Sequence, residues 1–103
     1  MSLDIAILDK DNIPVDSVQI GVDDHYILMQ FINHEELPLL HRMKDYYSDA
    51  TYLSFELHDL YKESQLLIER LASKPDVVSI INNICKLIEY AMCNKMKICA
   101  LSD

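Results

Sequence analysis

Apolar residues recur along this chain at two different spacings, and each predicts a different kind of element. Leu3, Ile5 and Ile7 alternate with Asp4, Ala6 and Leu8, the period of two expected of a strand with one face more apolar than the other. Asp9-Lys10-Asp11-Asn12 supplies turn formers. Residues 13–20 offer a second, weaker strand interrupted by Pro14, whose missing N–H suits an edge or a bulge. Gly21 closes this hairpin unit. Asp23 and Asp24 then suit the first turn of a helix, where carboxylates meet free N–H groups and the positive end of the dipole. Ile27, Leu28, Phe31 and Ile32 form its apolar stripe.

Pro38 fits the first turn of a second helix running to about Tyr47, with Leu39, Leu40 and Met43 inward. Residues 46–52 read as a loop of tyrosines and small polar groups. Leu53 and Phe55 alternate with Ser54, so the span 51–56 stays open between loop and short strand. Ser54 can cap a third helix marked on one side by Leu57, Leu60, Tyr61, Ser64, Leu67, Ile68 and Leu71. Lys74-Pro75-Asp76 breaks it. A fourth helix over 77–94 carries the broadest apolar arc, widened by Val78 and Cys85, and is expected to be the most buried. Residues 96–101 alternate again and predict a closing strand. Its natural partner is the strand over 3–8, because a lone hairpin is only marginally stable. The expected fold is α+β, one domain over residues 1–103: a four-helix cluster packed on a small sheet made of an N-terminal hairpin and a C-terminal strand.

Composition narrows this. A chain of 103 residues supports one core, and the single glycine and three prolines argue against a sandwich or barrel rich in tight turns. The start lacks the basic residues and apolar run of a signal peptide. Lys86, Glu89 and Asn94 interrupt the longest apolar stretch, short of the roughly 18 residues of a membrane helix. Cys85, Cys93 and Cys99 are odd in number and lack paired metal-ligand spacing. They are expected to be buried free thiols in a cytoplasmic protein.

The net charge is −8, and its placement says more than its size. Residues 1–36 carry eight carboxylates against Lys10 alone, a balance of −7, while residues 37–103 carry nine acids against eight bases. Such acidity aids solubility in any protein. It also repels phosphate backbones, so nucleic acid is not an expected partner, and it attracts basic proteins.

Candidate chemistry is sparse. Gly21 alone cannot build a phosphate loop. His25, His34, His41 and His58 form no H-x-x-x-H pair, and His34-Glu35-Glu36 reads as a solvated turn. The acids of 9–16 lack the glycine and terminal glutamate of a calcium loop. Glu56-Leu57-His58-Asp59 places neighbours on diverging sides of a helix. No catalytic residue, metal, cofactor or small-molecule ligand is expected. Two features suit protein binding instead: the acidic N-terminal third, and the segment 45–52, which holds three of the six tyrosines beside Asp45 and Asp49. Because Tyr46 and Tyr47 are adjacent, one ring is expected inward and the other outward. The candidate partner-binding residues are Asp9, Asp11, Asp16, Asp23, Asp24, Glu35, Glu36, Asp45, Tyr46, Tyr47, Asp49 and Tyr52. Competing readings are an adaptor module with another kind of partner, and an enzyme using His41 or His58 with a nearby carboxylate.

Three segments carry a resemblance to a known class. Met1-Ser2-Leu3-Asp4-Ile5-Ala6-Ile7-Leu8-Asp9, Leu39-Leu40-His41-Arg42-Met43-Lys44-Asp45-Tyr46-Tyr47 and Leu87-Ile88-Glu89-Tyr90-Ala91 resemble, in kind and order, segments of bacterial immunity proteins against contact-dependent growth-inhibition toxins. Within that class the chain looks most like immunity proteins cognate to a ribonuclease toxin, one with a pancreatic-ribonuclease-like fold. The resemblance implies a non-catalytic cytoplasmic inhibitor that binds a basic toxin domain one to one and blocks its RNA-binding cleft. It implies no particular contact residue.

Overall fold

The computed structural model describes residues 3–102; Met1, Ser2 and Asp103 lie outside the described residues, the first two with the start of the segment that carries the resemblance. A strand β1 (Leu3–Leu8) is followed by β2 (Pro14–Ile20), α1 (Val22–Met29), α2 (Pro38–His41), β3 (Ala50–Tyr52), α3 (Leu57–Arg70), α4 (Pro75–Cys93) and β4 (Lys97–Ser102). The strands form one four-stranded antiparallel sheet in the order β2-β1-β4-β3. The α+β reading and the pairing of β1 with the last strand are therefore what the protein has, with β3 added at one edge.

The hairpin forms where turn chemistry demands it. The Asp9 carboxylate accepts the Asp11 and Ile13 N–H groups at 2.8 and 3.0 Å, and Asn12 takes the left-handed conformation at φ 61°, as short asparagine side chains tolerate. The register slips between Ile7 and Leu8, opposite 14–16, so the bulge falls beside Pro14.

All the helices pack on the sheet face that carries Leu3, Ile5, Ile7, Ile20, Ile98 and Ala100. α4 lies closest to it, burying Val77, Ile81, Ile84, Cys85, Leu87, Ile88 and Ala91. α3 packs beside α4 through Leu57, Leu60, Ser64 and Leu67. On the other sheet face, Ala6, Leu8 and Cys99 with Leu101 make a small separate cluster under no helix. No helix among the described residues is long and apolar enough to cross a membrane.

Two expected helices are shorter than their apolar spacing suggests. α1 ends at Met29, after which Gln30, Phe31 and Ile32 bond three residues back instead of four. α2 is a single turn ending at His41, with Arg42, Met43 and Lys44 again bonding three back. Met43 and Tyr46 still turn inward, but they do so through tight three-residue turns and not on the expected helix to Tyr47. A further correction concerns the thiols: Cys85 and Cys99 are buried, but Cys93 is exposed at the end of α4.

Two end-caps fix these elements. Glu63 on α3 accepts the Leu39 and Leu40 N–H groups, both at 3.0 Å, so a carboxylate from another helix serves the first turn of α2. At the other end of α4, Met96 donates to the Ala91 carbonyl at 2.9 Å and Lys95 to Met92 at 3.4 Å. That is a Schellman ending with lysine at φ 55° in the place that favours glycine. Two outcomes follow. Glu63→Ala should lower stability by about 1–2 kcal/mol in urea unfolding, the usual cost of losing a cap. Lys95→Gly should raise it by about 1 kcal/mol, the left-handed penalty removed, and a lower unfolding midpoint would contradict this account of the turn.

Candidate partner-binding surface

The twelve sequence candidates do not form one surface, and the topology shows why. β1 is six residues long, so its ends lie about 17 Å apart at the usual rise per residue. Asp9 and Asp11 sit in the turn at one end. At the other end, where Leu3 pairs with Ile20 and Ser102, α1 begins and Asp49 receives the Ser102 N–H at 2.8 Å. Asp16 is on edge strand β2, with one carboxylate oxygen bonded to the Ser17 N–H. Glu35 and Glu36 belong to a third place, a groove of about 600 Å³ lined also by Glu56, Asp59, Glu63 and Phe55.

That groove is mainly a set of structural ties. Glu36 pairs with Arg70 and closes a reciprocal cap with Asn33. Together these hold its carboxyl below the ordinary glutamate range. Glu56 makes a two-pronged pair with Arg42 at 2.5 and 3.1 Å, lowering the Glu56 carboxyl and raising the guanidinium. Arg42 also donates to the Thr51 carbonyl at 3.1 Å and lies over the Tyr52 ring. With Glu63 capping α2, Glu35 and Asp59 are the acids of this groove without such a bond among the described residues.

The start of α1 is different. Tyr46 is buried, donates to the Ile20 carbonyl at 3.3 Å, and meets the His25 ring edge-on at a 5.0 Å centroid distance. His25, itself buried, donates its Nε2 proton to the Met43 carbonyl at 2.6 Å. These contacts seat the turn 45–48 directly on α1. The turn is shaped by Asp45, whose carboxylate accepts the Tyr47 N–H and the Ser48 hydroxyl, both at 2.9 Å. Tyr47 leaves the turn outward, edge-on to Tyr46 and 66% exposed. On α1, Val22 and Tyr26 stand one turn apart on the outer side, Tyr26 being 69% exposed. Val22, Tyr26 and Tyr47 thus lie among Asp23, Asp24, Asp45 and Asp49, and none of these acids has an ion pair among the described residues.

The sequence reading is corrected at two tyrosines. Tyr52 is fully buried in β3, its hydroxyl donating to the Leu39 carbonyl at 2.6 Å. Burial and the nearby carboxylates push that phenol above its ordinary range despite Arg42. Tyr46 is likewise withdrawn into the core and supports the outward Tyr47. Val22 and Tyr26 were missed. Part of the signal was present, since Tyr26 falls opposite the buried Leu28 on a helix. Neither His41 nor His58 bonds a carboxylate among the described residues; His41 instead meets His34 ring to edge. Among the described residues no three His, Cys, Asp or Glu side chains are grouped to hold a metal. No family model, no curated protein and no solved structure matches the chain.

Asp45 gives this surface a measurable signature. Its hydrogen bonds to the Tyr47 N–H and the Ser48 hydroxyl hold its carboxyl below 3.8. A depressed folded value means the stabilisation is present above 3.8 and is lost as pH falls through the lower folded value. Ser48→Ala should move the Asp45 titration upward in carboxyl NMR; an unchanged midpoint would show that the hydroxyl contributes nothing.

Proposed function

We propose that the protein is an immunity-type inhibitor that binds a basic toxin nuclease domain, a ribonuclease by the resemblance of its segments, and covers its cationic cleft. The observation that carries this reading is the surface at the start of α1: exposed Tyr47, Tyr26 and Val22 with four carboxylates that have no ion pair among the described residues. Tyrosine supplies large contact area at low entropic cost. Carboxylates without an ion pair among the described residues are available to lysines and arginines of a partner.

The physics of inhibition is compatible with this arrangement. A nuclease cleft must be cationic to hold phosphate, and an acidic surface of matching shape can occupy it in place of RNA. Complementary charge mainly accelerates encounter, and buried aromatic contact mainly slows release. Among the twelve sequence candidates the reading now rests on Asp23, Asp24, Asp45, Tyr47 and Asp49, with Val22 and Tyr26 added and Tyr46 beneath them.

The test is a binding titration with the basic nuclease domain encoded next to this chain's gene. A one-to-one complex that blocks RNA cleavage is expected. Tyr47→Ala should weaken it by about 2 kcal/mol, chiefly through faster dissociation. Asp23→Asn with Asp24→Asn and Asp45→Asn should instead slow association and flatten its dependence on salt. Absence of binding, or binding that ignores all four substitutions, would overturn the proposal.

A further inference from the structure

At the hairpin-turn end of the sheet, remote from the α1 surface, three of the seven lysines converge. A cleft of about 700 Å³ opens there between the β1–β2 turn, the α4–β4 turn and the segment after β3. Leu8, Leu53, Phe55 and Met96 supply apolar walls, and Phe55 is 78% exposed, the most exposed large apolar side chain among the described residues. Lys10, Lys95 and Lys97 line the same cleft, and none of them is ion-paired among the described residues. The acid that shares it, Asp9, has Oδ1 occupied by two backbone N–H groups of its own turn.

A second observation points the same way. Lys95 occupies a left-handed position that glycine would fill without strain. The fold is therefore less stable for carrying a side chain there, and strain retained beside a cleft directs attention to a use for that side chain. The cleft volume lies within the roughly 300–1,000 Å³ of small-molecule sites, which pair apolar walls with a few placed polar groups.

We propose that this cleft binds a small amphipathic organic anion: an aromatic or branched apolar body against Phe55, Leu53 and Met96, with a carboxylate, sulfonate or phosphate held by Lys95 and Lys97. The size follows from charge. The chain carries −8 overall, so a polyanion reaching beyond the cleft meets repulsion from Asp11 and the other acids, whereas a small anion meets only the local lysines. The apolar body follows from the walls, since an ammonium cluster exposed to water binds a bare ion weakly.

The probe is naphthalenesulfonate, titrated into the whole chain with amide chemical shifts recorded. Saturable changes confined to residues 8–12, 53–55 and 94–97 are expected. Uncharged naphthalenemethanol and inorganic sulfate should each bind at least about tenfold more weakly. Lys95→Gly, which should fold more stably, and Lys97→Gln should together weaken binding by about tenfold, while Tyr47→Ala leaves it unchanged. Scattered or non-saturating shifts overturn the site. Equal binding of either control, or of the lysine variants, overturns its amphipathic or cationic half and with it the proposal.

Discussion

The structure depends on the pairing of β1 with β4. These two strands, separated by nearly the whole described chain, lie side by side at the centre of the sheet, six residues against six from Leu3 opposite Ser102 to Leu8 opposite Lys97. Every other strand is attached to one of them: β2 to β1 and β3 to β4. The apolar floor on which α4 rests is made where they meet, with Ile5 opposite Ala100 and Ile7 opposite Ile98. The small Ala100 leaves room for the helix at one of these positions, and Ala91 on α4, fully buried, does the same from the other layer. Because so much of the core rests on a long-range pairing, ordering the intervening chain must precede its reward.

Elements with a long apolar period could be read from the sequence, and short ones could not. β1, β4, α3 and α4 each present several repeats of their pattern, and the pairing of β1 with β4 followed from the need for a third strand. β3 has only Ala50, Thr51 and Tyr52, too few to show a period. It is a strand because the free edge of β4 accepts it, and because Arg42 ties the Thr51 carbonyl and Tyr52 ring to α2. The span 51–56 left open between loop and strand is both, with β3 followed by a single 3₁₀ turn at Ser54–Glu56. Helix length failed for a related reason. Apolar residues at 31–32 and 43 keep pointing inward through tight three-residue turns, so spacing alone cannot tell those from α-helix.

The candidate surface shows a sharper limit. Charge can be counted along a sequence, yet the hairpin carries Asp9 and Asp11 to one end of the sheet and returns Asp23 and Asp24 to the other. A run of acids in sequence is thus divided in space, and lysines from two segments far apart in sequence are gathered at one cleft. Nothing in the order of Lys10, Lys95 and Lys97 announces that gathering. The inward and outward split of Tyr46 and Tyr47 was readable, because adjacent residues in a tight turn must diverge.

Edge strand β2 leaves a row of backbone groups without a partner strand on its outer side, the kind of template on which a second sheet can grow. Three features spoil that template. Pro14 contributes no N–H, the register slips beside it, and the exposed Asp16 puts a charge on the edge strand opposite Ile7. Asp16, a candidate for partner contact, thus also makes the β2 edge a poor template for another strand. This border is built badly for continuation, which disfavours growth of the sheet beyond β2.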